Sequence, residues 1–222
     1  GGSGVARVDG LAAFIPFTVD GDIIEAQPRA VKKRHMVCRL RKIISPSPHR
    51  RAPRCPFFGR CGGCCYQHIE YGHQLAIKRS QVGEALKRIG GFHCPPVREL
   101  IASPEPYSYR GKAEFHFQWH RGEARAGFFD VYGANLVDID RCEILHESIN
   151  EAYAEARKSF LSGAWHGDGR VVVWSETGEI HSGSQEAEIV RRVKDKTFLA
   201  PSSGFFQGNV HLTGKLVDAV GE

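Results

Sequence analysis

The feature that most constrains this chain is a short loop with three closely spaced thiols. It runs Cys55-Pro-Phe-Phe-Gly-Arg-Cys61-Gly-Gly-Cys64, and three glycines make its backbone pliable. Glycine permits positive backbone angles, so such a loop can wrap around a point without a clash. Sulfurs that converge in this way suit a metal centre, and a fourth ligand would have to come from elsewhere in the chain.

The cysteine spacing leaves two kinds of metal site open. For zinc, His68 or Cys65 could complete a tetrahedron, although the five-residue gap after Cys55 is wider than zinc modules usually have. For an iron–sulfur cluster, Cys142 is the favoured fourth ligand because it follows a predicted strand and precedes a predicted helix. The remaining cysteines are weaker candidates, since a lone cysteine is more often a small buried hydrophobe.

Length and composition are those of a soluble globular protein. The 222 residues can form one large domain or two small ones, and 41% hydrophobic with 25% charged residues is ordinary. No apolar run approaches the roughly 20 residues that span a bilayer, and the first residues do not resemble a signal peptide. Seven cysteines, an odd number, do not suggest a secreted disulfide framework. We therefore expect a cytoplasmic protein with no membrane partner.

Positive charge is concentrated in one part of the chain. The net charge is +5, yet residues 29–60 contain eleven Lys or Arg and no Asp or Glu, so the remainder is net −6. Such blocks commonly meet phosphates, and a solvated basic face or tail is the alternative. Apolar residues interrupt the block, which is typical of half-buried strands rather than of a tail. This basic stripe comprises Arg29, Lys32, Lys33, Arg34, Arg39, Arg41, Lys42, Arg50, Arg51, Arg54 and Arg60.

Residues 4–44 form a pattern of short strands separated by turns. The predicted strands lie at residues 5–8, 11–15, 23–27 and 36–44, with Asp-Gly turns between the earlier ones. The pattern suggests a small β-barrel of the oligonucleotide-binding type, whose curved face would offer basic side chains to a nucleic acid. Ser45-Pro-Ser-Pro then predicts a linker, because proline cannot donate to a sheet. A domain boundary near residue 45 follows.

The middle of the chain mixes helices and strands. Apolar residues recur at helical spacing over residues 75–89. Alternation predicts a hairpin at 113–130 and further strands at 170–175 and 179–182. Ser148-Ile-Asn-Glu151 matches a capping box that would open a second helix. The predicted fold class is therefore α+β.

Motifs along the chain resemble those of one enzyme family. One run resembles the cluster-binding signature of the S-adenosylmethionine-dependent RNA uracil-C5 methyltransferases. It reads Cys55-x5-Cys61-Gly-Gly-Cys64-x2-Gln67-His68-x2-Tyr71-x2-Gln74-Leu75-x2-Lys78. A second set of segments resembles the TRAM domain, a small RNA-binding barrel that begins many of these enzymes. The segments are Gly4-Val-Ala-Arg-Val-Asp-Gly10, Phe14-Ile-Pro16 and Gly21-Asp22. Three later segments of the family resemble, in the same order, Tyr109-Arg110-x-Lys112, Val137-Asp-Ile-x2-Cys142 and Ser203-Gly-Phe-Phe-Gln207-x-Asn209.

The resemblance implies cofactors and site residues. The ligands of a structural 4Fe-4S cluster would be Cys55, Cys61, Cys64 and Cys142. Gln207 would help to bind S-adenosylmethionine, and Phe205 would stack on the target uracil. Without the resemblance, Phe205-Phe206 would be interpreted as core aromatics.

The resemblance also implies an RNA partner. The expected function is methylation of uracil C5 in structured RNA, which we expect to be ribosomal RNA, with transfer RNA as the alternative substrate. The barrel and the basic stripe would hold phosphates, and the contacts would include Arg41, Lys42, Arg50 and Arg51. We expect the protein to be a monomer.

The catalytic part of such enzymes is not evident in the sequence. Family members add a cysteine thiolate to uracil C6 and remove the C5 proton with a carboxylate, and both residues belong to a Rossmann-like domain. No glycine-rich strand-to-helix fingerprint precedes Glu222, so we expect that domain, with its catalytic Cys and Glu, to be absent and the chain to be inactive alone.

The expected organisation has three parts. A TRAM-like barrel would occupy residues 1–45, a central α+β iron–sulfur domain 46–200, and a segment leading to the methyltransferase domain 201–222. The alternative is a stand-alone RNA-binding module with an iron–sulfur or zinc site and no catalysis. A radical or electron-transfer iron–sulfur enzyme is a weaker alternative, because the C-x3-C-x2-C spacing that such enzymes usually have is absent.

Overall fold

The computed structural model describes residues 2–120, 122–165, 167–175, 180–182 and 188–221. Contacts divide the chain into two compact units. The first comprises Gly1–Gly59 and Cys64–Ala102, and the second comprises Arg60–Gly63 and Ser103–Glu222. The predicted functional division at residues 45 and 200 stays a prediction.

The first unit contains one sheet and one helix. Its elements are β1 (Ser3–Val8), β2 (Leu11–Pro16), β3 (Ile23–Val31), β4 (His35–Ser45) and α1 (Tyr71–Arg88). The strand order is β1-β2-β4-β3, in which β2 and β4 run parallel and the other pairs antiparallel. Asp9 and Gly10 both have positive φ, 48° and 81°, which is the backbone that a two-residue hairpin needs.

The prediction of a small barrel of the oligonucleotide-binding type is wrong, because this sheet is open. In the described part of the chain, β1 and β3 are edge strands and each pairs with a single neighbour. The register of β3 against β4 shifts at three points, and Pro28 in β3 has no N–H to donate. Irregular register and proline are features that protect an edge strand from further pairing. The core lies on one face of the sheet and is formed by Ala13, Ile15, Met36 and Cys38.

The second unit contains two sheets and two helices. Its elements are β5 (Lys112–His120), β6 (Glu123–Phe129), β7 (Leu136–Asp138), α2 (Glu147–Leu161), β8 (Gly169–Trp174), β9 (Ile180–Ser182), β10 (Glu188–Val193), β11 (Lys196–Pro201) and α3 (Thr213–Gly221). Five strands form an antiparallel sheet in the order β7-β6-β5-β8-β9, and β10 pairs with β11. The β10–β11 hairpin was not predicted.

Helix α2 covers the large sheet with aromatic side chains. The Tyr153 ring stacks on the Phe115 ring at a centroid distance of 3.9 Å, and its hydroxyl lies 2.8 Å from the carbonyl oxygens of Ala126 and Ile139. Burial raises the pKa of Tyr153. The helix begins at Glu147 with His146 as N-cap, whose Nδ1 accepts from the Ser148 N–H, so the predicted capping box at Ser148 is not the cap.

No helix in the described ranges has the length and apolar character needed to cross a membrane.

Candidate functional site

Two segments that the sequence singled out lie side by side in the second unit. The Gly111 N–H donates to the Gly208 carbonyl at 2.8 Å, and the Val210 N–H donates to the Tyr109 carbonyl at 2.9 Å. Arg110 and Asn209 form an antiparallel bridge between the same segments. The motif site is therefore built from residues 109–112 and 202–209, which are far apart in the chain.

Gly111 is required for this close approach. A Cβ atom at this position would lie 2.6 Å from Val210 Cγ1 and 2.9 Å from Ser175 Oγ. Both distances are shorter than side chains tolerate, so a larger residue would force the Val210 or Ser175 side chain to move.

Lys112 directs its charge at the second segment. Its Nζ donates to the Gly204 carbonyl at 2.8 Å and lies 4.4 Å from the centroid of the Trp174 ring. Burial lowers the pKa of Lys112, although the nearby Glu114 carboxylate opposes the shift. The Trp174 Nε1–H donates to the Ser202 carbonyl at 3.1 Å, so both side chains contact the backbone of residues 202–204.

Arg191 is a buried cation in the same site. It is only 3% exposed, and its Nη1 donates to the Ser175 carbonyl at 3.0 Å. Its guanidinium carbon lies 5.3 Å from the Trp174 ring and 5.2 Å from the Phe206 ring. The sequence pattern did not predict this site residue, although its register in β10 between the buried Ile189 and Val193 indicates an inward position.

The two predicted ligand-binding residues of the motif site are exposed. The Phe205 residue is 83% exposed, whereas the neighbouring Phe206 is half-buried. Gln207 is also exposed. An exposed ring on an anchored loop can stack on a nucleobase, and an amide can donate to or accept from a polar ligand.

Hydrogen bonds are formed by cysteine residues of the loop, through two sulfur atoms and one backbone N–H. In the first unit, Gln67 Oε1 accepts from the Cys55 backbone N–H at 3.1 Å, and Gln67 Nε2 donates to Cys64 Sγ at 3.3 Å. In the second unit, the Gly63 N–H donates to Cys61 Sγ at 3.4 Å. Gln67 belongs to the motif noted in the sequence, but its contact with two cysteines was not predicted.

Cys142 is held by a buried amide in the second unit. Its backbone N–H donates to Asn150 Oδ1 at 3.0 Å, and Asn150 Nδ2 donates back to the Cys142 carbonyl at 3.1 Å. Asn150 lies on α2 and is 5% exposed. The sequence indicated that Cys142 precedes a helix, but it did not indicate this amide.

The donor types suit a cluster, yet the geometry does not show one. Among the described residues, no three His, Cys, Asp or Glu side chains form a group that could hold a metal ion. His68, the proposed zinc ligand, is 1% exposed and lies against the Phe17 and Phe58 rings, and burial lowers its pKa. Within the described residues, neither of its ring nitrogens has a hydrogen-bond partner of good geometry. We therefore derive no chemical step through a metal centre.

The basic stripe is exposed except at one position. Arg41 and Lys42 are exposed on β4. Arg51 is 54% exposed at its side chain and lies 3.5 Å from the Glu70 carboxylate. Arg50 is 16% exposed and forms an ion pair with Asp22, so its charge is already used within the first unit.

Asp22 connects the segment that follows β4 to the turn before β3. Its carboxylate accepts from Arg50 and from the backbone N–H groups of Val19 and Ser47. Burial alone would raise the pKa of Asp22, but these donors lower it to about 2. The predicted linker at residues 45–48 is thus hydrogen-bonded to Asp22, and Ser47 is buried.

Comparison with solved structures defines the class of fold. The crystal structure of Pyrococcus abyssi tRNA (uracil-54, C5)-methyltransferase in complex with S-adenosyl-L-homocysteine matches with a TM-score of 0.68 and 21% sequence identity. The match covers 99% of this chain and 62% of that chain. The chain therefore shares the fold of the matched part of that protein over nearly its whole length. The prediction that the Rossmann-like methyltransferase part of the fold is absent is contradicted by this match.

Sequence comparison identifies relatives with a consistent name. Proteins named uncharacterized RNA methyltransferase are 38% identical over 167 residues in Gloeobacter violaceus, 33% over 165 in a Synechocystis species and 38% over 157 in Halalkalibacterium halodurans. The alignments cover 71% to 74% of this chain and 34% to 36% of those proteins. The chain thus spans about a third of the length of the curated relatives that it matches. No protein-family model matches the sequence.

Proposed function

We propose that this chain takes part in S-adenosylmethionine-dependent methylation of uracil C5 in RNA. The observation that carries the proposal is the motif site, where residues 109–112 meet residues 202–209 and the Phe205 ring is left 83% exposed. The names of the relatives support RNA methylation. The structural neighbour, a tRNA uracil-C5 methyltransferase, supports the target base and the methyl donor.

The proposal assigns each ligand contact to a residue. Phe205 stacks on the target uracil, and Gln207 contacts S-adenosylmethionine. Arg41, Lys42 and Arg51 contact phosphates from the exposed side of the first unit. The prediction for Arg50 stays untested, with its guanidinium already bonded to Asp22. The substrate is structured RNA, ribosomal RNA in our proposal, and the protein acts as a monomer.

Uracil C5 is a poor nucleophile, which defines the chemistry that an enzyme must supply. A thiolate that adds to C6 places electron density on C5, so C5 can take the methyl group and then lose its proton to a base. We assign none of the seven cysteines of this chain to that role. Cys38 is buried in the core of the first unit, and four others are the proposed cluster ligands.

RNA that contains 5-fluorouridine tests the function and the nucleophile together. Fluorine cannot leave C5 as the proton does, so a thiolate adduct that has taken the methyl group persists through a denaturing gel. With S-adenosylmethionine present, we expect tight binding on a native gel and no covalent band. A covalent band would show that one of the seven cysteines is the nucleophile, and absence of any RNA binding would contradict the proposed function.

We also propose that the protein binds a structural 4Fe-4S cluster, with Cys55, Cys61, Cys64 and Cys142 as its ligands. Its support is the spacing in the sequence and the N–H donors at Cys61 and Cys64. After anaerobic purification we expect about four iron and four sulfide per chain, and about none in a Cys142→Ser variant that still folds. The matched control is Cys94→Ser, which replaces an exposed cysteine outside the proposed set. A colourless protein with one zinc per chain would contradict the cluster and favour a zinc-containing RNA-binding module.

A further inference from the structure

We propose that Lys112, Trp174 and Arg191 are positioning residues that hold the Ser202–Gln207 loop so that Phe205 projects towards an RNA base. The inference rests on the proposed function for its ligand, RNA. The positioning itself rests only on contacts within the second unit.

Lys112 is the first anchor of the loop. A lysine ammonium is strongly hydrated and usually remains in water. Here the side chain is half-buried and the ammonium has two protein partners, the Gly204 carbonyl at 2.8 Å and the Trp174 ring at 4.4 Å. A charge-assisted hydrogen bond is stronger than a neutral one, and a cation over an indole face adds to it. The charge therefore fixes the residue that immediately precedes Phe205.

Trp174 is the second anchor. It is 1% exposed, and a buried indole N–H requires an acceptor, which the Ser202 carbonyl provides at 3.1 Å. Its ring also receives the cations of Lys112 and Arg191. Trp174 thus holds the start of the loop and orients the two basic side chains.

Arg191 is the third anchor, on the other side of Phe205. Ser175 fixes its guanidinium through the backbone carbonyl and the hydroxyl, at 3.0 and 3.3 Å. The guanidinium carbon then lies 5.2 Å from the Phe206 ring. Phe205 is therefore flanked by two fixed neighbours, Gly204 and Phe206. A ring held in this way loses little further freedom when a base stacks on it, which favours binding.

The test replaces Lys112 by methionine, which keeps the length of the side chain and removes the charge and the donor. The control is Lys196→Met, which removes an exposed lysine of the same unit whose carboxylate partner is the adjacent Asp195. The first readout is hydrogen exchange of the Gly204 amide, which donates to the Pro201 carbonyl in the anchored loop. The second readout is photo-crosslinking from p-benzoylphenylalanine at position 205 to a uridine-rich RNA hairpin.

We expect Lys112→Met to accelerate exchange at Gly204 about tenfold, because one charge-assisted bond is lost. The crosslinked fraction should fall by a similar factor, about tenfold, while the unfolding midpoint stays near that of the wild type. A purely structural role would instead shift the unfolding midpoint together with exchange throughout the unit. If Lys112→Met does not fold, the same two measurements are made on Trp174→Phe. This variant keeps an aromatic ring and removes the donor to the Ser202 carbonyl.

Unchanged exchange and crosslinking in both variants would overturn the proposal. Failure of the proposed function has a different signature, because the wild-type chain would then give no crosslink to RNA. In that case the exchange measurement still decides whether the three side chains hold the loop.

Discussion

Asp22→Asn is expected to lower the unfolding free energy of the first unit by about 3 kcal/mol at neutral pH. The Asp22 side chain is 2% exposed and that of Arg50 is 16% exposed, so the substitution leaves a largely buried cation without its counter-charge. Arg50 also donates to the Phe17 carbonyl at 2.9 Å, which keeps the guanidinium in place after its partner is neutralised. Removal of one partner from a buried ion pair is among the more costly single substitutions.

The same carboxylate predicts how stability depends on pH. The pKa of Asp22 is about 2 in the folded unit and near the model-peptide value of 3.8 when unfolded. As the pH falls from about 4 to about 2, the unfolded state binds a proton first, so the wild-type unit loses about 2 kcal/mol. Above that window this contribution is fully present. The Asp22→Asn variant should lack this part of the acid dependence.

Two probes can follow the unfolding of the two units separately. All three tryptophans lie in the second unit, so tryptophan fluorescence follows that unit. Hydrogen exchange of β2 and β4 amides follows the first unit. The matched control is Glu84→Gln, which neutralises an exposed carboxylate on α1. We also expect Asp22→Asn/Arg50→Met to cost less than the sum of the single variants, because no unpaired charge remains. Equal stability of Asp22→Asn and wild type would contradict the proposed contribution of the ion pair.

RNA affinity is expected to fall about a thousandfold between about 50 and about 200 mM salt, if roughly six phosphates are contacted. The physical reason is the release of counterions from the phosphates that the exposed basic stripe neutralises. Because the remainder of the chain is net negative, these contacts should come mainly from residues 29–60.

Charge-matched variants test where those contacts lie. Replacement of three exposed stripe residues, Arg39, Arg41 and Lys42, by glutamine should reduce the slope of log affinity against log salt by about 2 to 3. The control replaces three exposed basic residues outside the stripe, Lys87, Arg88 and Arg98, and should leave the slope nearly unchanged. An affinity that does not depend on salt, or equal slopes in the two triple variants, would contradict this placement of the phosphates.

Local sequence patterns predicted the strands of the first unit but not how its sheet ends. The Asp9-Gly10 turn and the alternating strands follow from neighbouring residues, and the structure contains them. Closure into a barrel depends on whether β1 and β3 can pair, which no local pattern reports. In the structure these two strands do not pair, because β1 pairs with β2 and β3 pairs with β4.

In the candidate site, too, the sequence predicted the segments but not the contacts between them. The sequence identified the segments around Lys112 and Phe205 by resemblance, but their contact joins residues 92 positions apart. Arg191 was missed because an arginine within a strand pattern is ordinarily an exposed residue. Only the contacts with Trp174, Ser175 and Phe206 show that this arginine is buried.

By itself, the sequence determined which chemical groups are present and where along the chain they cluster: the thiols of the cysteine loop, the eleven basic residues and the paired aromatics at 205–206. Tertiary structure decided which of these groups leave water and which partners they meet. Arg50 contacts Asp22 and leaves the basic surface, whereas Phe205 stays exposed next to the half-buried Phe206. Burial and long-range partners set the state of a charged or aromatic side chain, and neither is a property of the residues adjacent in sequence.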